Sequence, residues 1–346
     1  MTLLLKNLTS LELHTALAPA GVSLRLARRL QAAAVKRDAF PDSLPEVSAK
    51  VLGRVREQVA LPRLERREKV VSARDGFAKY VFRGDGEGEF ETVRIPLVHR
   101  AGAEKYVVCV SSQVGCGMGC AFCATGRMGF VRNLSAWEMV DQVVRVRQDS
   151  DYPVRGVVFM GMGEPLMNYE AVIRAAKILC EPCGMAIAAK AISISTSGIV
   201  PGIRRFSAER FPFRLVISLT SADSVRRQSL MPVEAAHSLR ELMEAIRDYH
   251  EVSGQRVTLA WTMISGFNTR ELDAIQLAEW VRGLPITLDL IDVNDASGRF
   301  APPGEEERNA FRDALRKHVN MPVVRRYSGG QDIHAACGML VSSREG

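Results

Sequence analysis

Long apolar segments are missing from this chain of 346 residues. No run of 18 apolar residues occurs, so we expect no helix that spans a membrane. The N-terminal segment MTLLLKNLTSLELHTAL is interrupted by Lys6, Glu12 and His14, and it lacks the pattern of a secretory signal. The six histidines lie far apart and show neither HxH nor HExxH spacing, so we expect no separate histidine-based metal site.

Acidic residues are fewer than basic ones. The chain has 46 Lys and Arg against 39 Asp and Glu, a net charge of +7. This balance suits a polyanionic partner without identifying one, and an ordinary basic enzyme has the same signature. The seven cysteines are odd in number and clustered, which indicates metal chemistry in a reducing compartment more than a disulfide framework. We therefore expect a cytoplasmic protein.

A glycine-rich segment with clustered cysteines, CVSSQVGCGMGCAFCATGRMGF, runs from Cys109 to Phe130. Within it, Cys116, Cys120 and Cys123 form a CxxxCxxC triplet. Three such thiolates match three irons of a [4Fe–4S] cluster, because cluster iron is bound by cysteine sulfur. A structural zinc site and three core cysteines are the alternatives, but zinc sites pair CxxC with a second CxxC or HxxxH, and none is near. The spacing therefore favours the cluster.

The first hundred residues have a pattern of their own. Residues 1 to about 50 predict short amphipathic helices. The segment GRVREQVALPRLERREKVVSARDG carries seven Arg or Lys, which is typical of a solvated helix face or of contact with an RNA backbone. The segment FAKYVFRGDGEGEFETVRIPL predicts a β-hairpin around Gly-Asp-Gly. We predict an accessory region over residues 1–100, a candidate RNA contact, and a core over residues 101–346.

From Lys105 onward, apolar strands alternate with amphipathic helices. The predicted strands are YVVCVSS, RGVVFMG, AISISTS, RLVISLTS, RVTLAWTMIS and ITLDLIDVN. Ser135 and Glu138 form a capping box at the start of the first intervening helix. Such alternation predicts an α/β fold with a parallel sheet, either open and doubly wound or curved into a partial barrel. Periodicity does not choose between the two.

Polar or glycine-rich residues follow the predicted strands at one end. The cysteine loop follows the first strand, GMGEP the second and STSG the third, while SLT ends the fourth and Asn294 ends the sixth. Ligands of parallel α/β proteins gather at the carboxyl ends of the strands, so these signals predict a single pocket. Each signal is weaker by itself, since GMGEP is also typical of a tight turn.

The cysteine triplet, with Phe122 between its last two members, resembles the radical S-adenosylmethionine (SAM) superfamily. The longer text VSSQVGCGMGCAFCATG followed by GFVRNL resembles one family within it, the RlmN/Cfr RNA methyltransferases, over about residues 91–340. The resemblance implies a partial (β/α)6 barrel with a small N-terminal helical and β accessory region. It also implies that Cys116, Cys120 and Cys123 hold a [4Fe–4S] cluster whose open iron binds SAM.

The resemblance assigns further SAM contacts to strand-end residues. These are Gly163, Glu164, Ser195, Ser218, Leu219, Thr220 and Asn294. Two positions depart from the family's pattern. Thr220 stands where relatives have histidine, which predicts the loss of a side-chain contact, and Asp292 puts a charge where they have proline. These departures bear on the exact substrate more than on the fold.

Cys337, in RRYSGGQDIHAACGML, is by residue type an ordinary small buried side chain. The resemblance instead makes it the methyl carrier, with Cys109 assisting and Glu91 as proton acceptor. In the implied route one SAM methylates Cys337, and a second yields a 5′-deoxyadenosyl radical that takes hydrogen from the new methyl group. The carbon radical adds to an adenine ring carbon. Proton loss and attack by Cys109 on the Cys337 sulfur then release the RNA and leave a disulfide.

The implied product is 2-methyladenosine in 23S ribosomal RNA, with transfer RNA as a further substrate. Methylation of carbon 8 and another RNA target are the alternatives, and a non-catalytic iron–sulfur RNA-binding protein is the alternative class. The implied partners are RNA and an electron donor such as flavodoxin or ferredoxin. Four arginines near the cysteine centres are candidate phosphate contacts: Arg127, Arg132, Arg325 and Arg326.

Overall fold

One large mixed β-sheet organises the protein. The computed structural model describes residues 2–45, 47–97, 102–295 and 297–341. The strands in these ranges are β1 (Leu3–Leu4), β2 (Val59–Ala60), β3 (Glu65–Val71), β4 (Ala78–Arg83), β5 (Glu89–Leu97), β6 (Lys105–Cys109), β7 (Gln113–Cys116), β8 (Gly129–Asn133), β9 (Val154–Phe159), β10 (Ile192–Thr196), β11 (Arg214–Ser218), β12 (Val257–Met263), β13 (Ile286–Asp292) and β14 (Val323–Arg326).

The helices follow the strands along the chain. The α-helices in the described ranges are α1 (Ser10–Leu17), α2 (Leu24–Ala32), α3 (Ala49–Gln58), α4 (Ala124–Arg127), α5 (Ala136–Gln148), α6 (Tyr169–Cys180), α7 (Val200–Ala208), α8 (Ser224–Leu230), α9 (Leu239–Ser253), α10 (Glu271–Trp280) and α11 (Glu305–His318). The predicted capping box of Ser135 and Glu138 is confirmed at α5. Helix α9 also begins with a capping box, formed by Ser238 and Glu241. It ends at Gly254, whose φ of +65° suits glycine.

The parallel strands of the large sheet follow one another in chain order, as in a partial barrel, without the reversal of a doubly wound sheet. Among the described residues the order is β14-β13-β12-β11-β10-β9-β6-β5-β4-β3. Neighbours from β6 to β14 are parallel, and those from β3 to β6 are antiparallel. The six predicted strands are confirmed as β6 and β9 to β13. Strand β14 was not predicted, because VVRR is short and its arginines are exposed.

The core lies between the parallel strands and the helices outside them. Strand β11 buries Leu215, Val216 and Ile217 in succession, as expected of a strand covered on both faces. Helix α9 buries Leu242 and Ile246, four residues apart on one face. Each fully buried side chain of this size contributes about 1.5–3 kcal/mol. Helices cover the outside of the parallel strands. The carboxyl ends of these strands are left free for a site.

The N-terminal helices have a small hydrophobic cluster of their own, which includes Leu13, Leu17, Leu30 and Val55. A buried ion-pair network joins this region to α5. Lys6 Nζ lies 2.6 Å from Asp38 and also contacts Asp141, while Arg145 contacts Asp38. The helices predicted before residue 50 are thus confirmed, and this ion-pair network attaches them to α5.

The predicted β-hairpin is confirmed as β4 and β5, and both strands belong to the large sheet. The basic segment before it is helical only in its first part. Its second part, β3, is the edge strand of the sheet and is almost entirely exposed. Reading the whole segment as a helix face was wrong, because charged side chains also suit an edge strand, where they discourage pairing with another chain. Within the described ranges, no helix combines the length and apolar character needed to cross a bilayer.

Candidate active site

The cysteine segment folds as a tight β-ribbon, and one helical turn lies in the connection between its two strands. Strands β7 and β8 pair antiparallel, and α4 begins directly after Cys123. Gly115 has a φ of +70°, and a Cβ there would lie 1.9 Å from the carbonyl oxygen of Gly129. Only glycine fits this position without moving the ribbon. Cys116 ends β7, and Cys120 lies in the turn between the ribbon strands, so the triplet sits on one short loop.

The three thiols of the triplet influence one another. Burial, with smaller contributions from Glu164 and Cys123, raises the pKa of Cys116 to about 12. Burial also raises the pKa of Cys120, and Cys123 and Cys116 add to this rise. Buried thiolates need a nearby positive charge, which iron ions supply, so the donor set fits a cluster. In the described part of the chain, no three His, Cys, Asp or Glu side chains are grouped as ligands of a single metal ion.

The C-terminal segment lies directly against the cysteine loop. The backbone N–H of Ala124 donates to the carbonyl oxygen of Gly338 at 2.7 Å. The Thr125 hydroxyl donates to the carbonyl oxygen of Leu340 at 2.6 Å. These two bonds hold Cys337, which precedes Gly338, beside the triplet although it lies at the far end of the chain.

Cys337 lies close to Cys109 as well. Burial and, to a smaller extent, the neighbouring Cys337 raise the pKa of Cys109 to about 12. Burial raises the pKa of Cys337 to about 11, with a further contribution from Cys123. Cys337 is nevertheless exposed to solvent. All seven cysteines are free thiols, so the disulfide implied between Cys109 and Cys337 stays a prediction.

Glu91 completes this group from β5. Val93 pairs with Cys109 across β5 and β6, so Glu91, two residues before Val93, lies on the same sheet face as Cys109. The residue is 3% exposed, and its carboxylate accepts a hydrogen bond from the Val341 N–H at 2.8 Å. Lys79 Nζ lies 2.9 Å away. Burial raises the pKa of Glu91 even though Lys79 acts to lower it, and a raised pKa suits a proton acceptor.

The GMGEP loop after β9 packs tightly on its neighbours. Gly163 has a φ of +100°, and a Cβ there would lie 2.6 Å from the side chain of Gln113. Glu164 is buried, and its carboxylate accepts hydrogen bonds from the Leu166 N–H at 3.0 Å and from the Ser197 N–H at 2.7 Å. Burial raises the pKa of Glu164, although these donors lower it. Glu164 therefore ties the loop after β9 to the loop after β10.

The predicted residues on β10 and β11 lie at the carboxyl ends of those strands. Ser195 and Ser218 are half-buried, and Leu219 is fully buried. Thr220 has a φ of +61°, rare for a β-branched residue. Its hydroxyl is buried without a hydrogen-bond partner, while its carbonyl oxygen accepts from Asn268 Nδ2 at 2.7 Å. A strained residue with an unpaired buried donor is a candidate ligand contact.

Asn294 links the sixth parallel strand to the C-terminal segment. Its side-chain amide donates to the Cys337 carbonyl oxygen at 3.3 Å and to the Ser328 hydroxyl at 2.7 Å. Asp292, two residues earlier, is paired with Arg325 at 2.7 Å and with Arg308 at 3.4 Å. These ion pairs explain how a carboxylate is accommodated at this strand end.

The four candidate phosphate arginines all have carboxylate partners. These pairs are Arg127–Asp295, Arg132–Glu138, Arg325–Asp292 and Arg326–Asp289. Arg132 is held most firmly, since it binds both oxygens of the capping residue Glu138. A phosphate would have to compete with these carboxylates, so the pairs weaken the prediction for each arginine.

Two charged side chains of the site were missed from the sequence. In the sequence Lys79 is an ordinary strand lysine. The register of the β4–β5 hairpin places it near Glu91 on the neighbouring strand. The turn predicts that register, so this contact could have been found from the sequence. Arg227 is 0% exposed and donates to the Ser197 carbonyl oxygen at 2.7 Å and to Glu234. No signal in the sequence distinguishes it from Arg226, beside it.

Comparison with known proteins identifies the family of this chain. The model of the radical SAM superfamily matches residues 110–278. A probable RNA methyltransferase from Myxococcus xanthus is 47% identical over 99% of this chain and 95% of its own. The dual-specificity RNA methyltransferase RlmN from Syntrophobacter fumaroxidans is 41% identical over 79% of each chain.

A solved structure gives the same result for the fold. The crystal structure of a radical SAM methyltransferase from Sphaerobacter thermophilus matches with a TM-score of 0.87 and 37% identity, covering 98% of this chain and 99% of that one. A match of this extent includes the N-terminal region, the barrel and the C-terminal segment. The chain belongs to the RlmN/Cfr family of radical SAM RNA methyltransferases.

Proposed function

We propose that this enzyme methylates a ring carbon of adenine in RNA through an S-methylated Cys337, with carbon 2 in 23S ribosomal RNA as the target and transfer RNA as a second substrate. One observation carries the proposal. Cys337, from the end of the chain, is held beside the cysteine triplet by Ala124 and Thr125, and it lies close to Cys109. RNA binding by itself would require no such arrangement of thiols.

The proposed cofactors are a [4Fe–4S] cluster and SAM. Cys116, Cys120 and Cys123 would hold the cluster. The strand-end residues proposed to hold SAM are Gly163, Glu164, Ser195, Ser218, Leu219, Thr220 and Asn294. When bound, these cofactors supply a methyl group and a radical that abstracts hydrogen. The rest of the chemistry falls to the protein's own side chains.

Each catalytic side chain has one task. The Cys337 sulfur accepts the methyl group and carries it to the base as a covalent adduct. Glu91, with its raised pKa, takes the proton that the adduct must lose. The adduct radical also gives up one electron, for which the oxidised cluster would be the acceptor. The Cys109 thiolate then attacks the Cys337 sulfur and forms a disulfide. The electron pair of the broken sulfur–carbon bond stays on the released carbon, which takes up a proton and becomes the methyl group. Two electrons from a reductant restore the thiols, and an electron donor such as flavodoxin or ferredoxin serves the cluster.

RNA must reach the site with its target base out of the helical stack, because a ring carbon is inaccessible inside a duplex. We propose that the accessory region, residues 1–100, contributes to RNA binding through its basic residues. Free thiols and a cluster suit a reducing compartment, so we propose a cytoplasmic location.

The direct test is anaerobic incubation of the reconstituted enzyme with SAM, a reductant and ribosomal or transfer RNA. We expect 5′-deoxyadenosine and 2-methyladenosine, each measured by chromatography and mass spectrometry. Appearance of 8-methyladenosine would correct the carbon, and a product in another RNA would correct the target. Absence of 5′-deoxyadenosine in cluster-containing protein contradicts the proposal.

We expect Thr220→Ala to increase the stability of the cofactor-free protein and to decrease its affinity for SAM. Removing a buried hydroxyl that lacks a partner should stabilise the cofactor-free protein by about 1 kcal/mol, since an unsatisfied buried polar group costs about 1–3 kcal/mol. If that hydroxyl contacts SAM, the same change should weaken SAM binding about two- to tenfold. Urea unfolding and calorimetric titration measure the two effects.

Thr258→Ala is the matched control, because Thr258 is half-buried near the opposite, amino end of the neighbouring strand β12. It should leave SAM binding unchanged. Wild-type SAM affinity in Thr220→Ala would remove Thr220 from the proposed binding site.

We expect Lys79→Met to shift the pH dependence of methylation. Lys79 lowers the pKa of Glu91, so its removal should raise that pKa further above the ordinary range. The acceptor works as a carboxylate, so the acidic limb of the pH–rate profile should move to higher pH. Single-turnover rates across pH measure the shift.

Lys69→Met is the control, since Lys69 pairs with Asp149 at 2.7 Å and does not pair with Glu91. An acidic limb at the same pH in wild type and Lys79→Met would argue against Glu91 as the proton acceptor.

A further inference from the structure

The turn between β3 and β4, residues 72–77, packs against the segment that leads to Cys337. Asp75, in this turn, is half-buried. One oxygen of its carboxylate accepts hydrogen bonds from the Gly330 N–H at 2.8 Å and from the Tyr327 hydroxyl at 3.0 Å. These bonds join residues that are 255 and 252 positions apart in the chain. The turn therefore ties the proposed accessory region to the C-terminal segment.

The carboxylate of Asp75 is fixed by its own turn as well. Its second oxygen accepts a hydrogen bond from the Phe77 N–H at 3.2 Å. The Ser72 hydroxyl accepts from the Asp75 N–H at 3.4 Å and donates to the Asp332 carboxylate at 3.0 Å. Because the turn already orients the carboxylate, Asp75 needs no rearrangement to hold the C-terminal segment.

The two glycines that meet this turn leave no room for a side chain. A Cβ at Gly329 would lie 2.4 Å from Phe77 Cε2 and 2.5 Å from Asp75 Oδ2. A Cβ at Gly330, whose φ is +74°, would lie 2.9 Å from Ala335 Cβ and 3.2 Å from Phe77 Cβ. Both glycines are buried. Such close packing allows the segment only a small range of positions against the turn.

The contacts continue from Gly330 to Cys337. The Gly330 carbonyl oxygen accepts a hydrogen bond from the Ala335 N–H at 2.8 Å, which closes a tight turn two residues before Cys337. Past Cys337, the Gly338 carbonyl oxygen is bonded to the cysteine loop. Cys337 is thus held from both sides, and Asp75 belongs to the upstream side.

We propose that Asp75 is a positioning residue for Cys337, and that through Gly330 it holds this thiol beside Cys109. Residues near a chain end are poorly ordered unless they are tied down, and Asp75 ties down the segment that carries the thiol. This inference rests on the role of Cys337 proposed above. It gives the accessory region a second role besides the proposed RNA contact, since the turn lies within residues 1–100.

The test is the equilibrium of the Cys109–Cys337 disulfide in cofactor-free protein whose triplet cysteines are replaced by alanine. Glutathione disulfide oxidises the two thiols and is itself reduced to two molecules of glutathione, and peptide mapping measures the disulfide. We expect Asp75→Ala to lower its equilibrium constant about tenfold, equivalent to a rise of about 30 mV in the reduction potential of this two-electron couple. Asp75→Asn, which keeps an acceptor oxygen for Gly330, should recover part of the loss.

Asp85→Ala is the matched control. Asp85 is an exposed carboxylate at the next turn of the same sheet, between β4 and β5, so its removal should leave the equilibrium constant unchanged. A wild-type constant in Asp75→Ala overturns the inference, and so does an equal decrease in Asp85→Ala. If Asp75→Ala does not fold, Gly329→Ala takes its place, because the added methyl group forces the turn and the segment apart. A wild-type constant in that variant overturns the inference as well.

The reconstituted enzyme gives an independent measurement. Asp75→Ala should lower kcat for methylation about tenfold and leave KM for RNA unchanged, because a misplaced thiol slows the chemistry without removing an RNA contact. A raised KM with an unchanged kcat would show that this surface binds RNA and would overturn the inference. Absence of 5′-deoxyadenosine in the wild-type enzyme contradicts the proposed function. The disulfide equilibrium requires neither cluster, SAM nor RNA, so it tests Asp75 separately.

Discussion

Cys109→Ala protein, purified from cells that supply RNA and assemble clusters, is expected to carry RNA bound covalently to Cys337. The structure has Cys109 close to Cys337, so once it has lost its proton the Cys109 thiolate can attack the Cys337 sulfur and release the product. Without that thiol the adduct should accumulate, and multiple turnover should fall to almost nothing. Protein mass spectrometry after nuclease digestion detects the adduct, and sequencing of the attached RNA identifies the substrate.

Two controls isolate the role of each thiol. Cys109→Ala/Cys337→Ala lacks the proposed carrier and should contain no bound RNA. Cys180→Ala removes a half-buried cysteine at the end of α6 and should release its product normally. If Cys109→Ala holds a cluster and still carries no RNA from cells that contain the target, Cys337 is not the methyl carrier.

The second large effect is expected on stability. Lys6→Met should reduce the free energy of unfolding by about 3–5 kcal/mol, because it leaves buried carboxylates without their cation. Lys6 is fully buried between Asp38 and Asp141, which join the N-terminal helices to α5. Although burial acts to raise it, Lys6 and Arg145 hold the pKa of Asp38 below its ordinary value. This contribution is therefore present at neutral pH and is lost as the pH falls through that lowered pKa.

Urea unfolding of the cofactor-free protein measures the change. The matched control is Arg56→Met, which breaks an ion pair with Asp42 at 3.0 Å whose side chains are 56% and 97% exposed. Exposed pairs of this kind contribute at most about 1 kcal/mol. A loss in Lys6→Met no larger than in Arg56→Met would show that the network does not hold the N-terminal region in place.

Local patterns in the sequence were sufficient for much of the fold. The capping box of Ser135 and Glu138, the β4–β5 hairpin and the six parallel strands each depend on residues close together in the chain. The gathering of the site at the carboxyl strand ends also followed, because parallel strands direct those ends to one edge. The family resemblance, carried by the cysteine segment, added the predicted roles of Glu91 and Cys337.

Local patterns in the sequence did not predict the contacts between distant segments of the chain. Strand β14 carries too little apolar pattern to be recognised, and the basic segment from residue 53 changes from helix to edge strand without a change in composition. The candidate phosphate arginines were selected by charge and position, but whether an arginine is free depends on the carboxylates opposite it. Arg127 and Arg325, for example, are paired with Asp295 and Asp292.

The sequence by itself determined the protein's local elements, the edge of the sheet where its polar and glycine-rich loops gather, and the family that its cysteine segment resembles. Only the tertiary structure decided which side chains meet. It brought Cys337 to the cysteine loop and Lys79 to Glu91. It also buried Arg227, whereas its neighbour Arg226 pairs with Asp273 on α10. The physical reason is that periodicity and capping act over a few residues, whereas burial and charge pairing depend on groups that only the folded chain brings together.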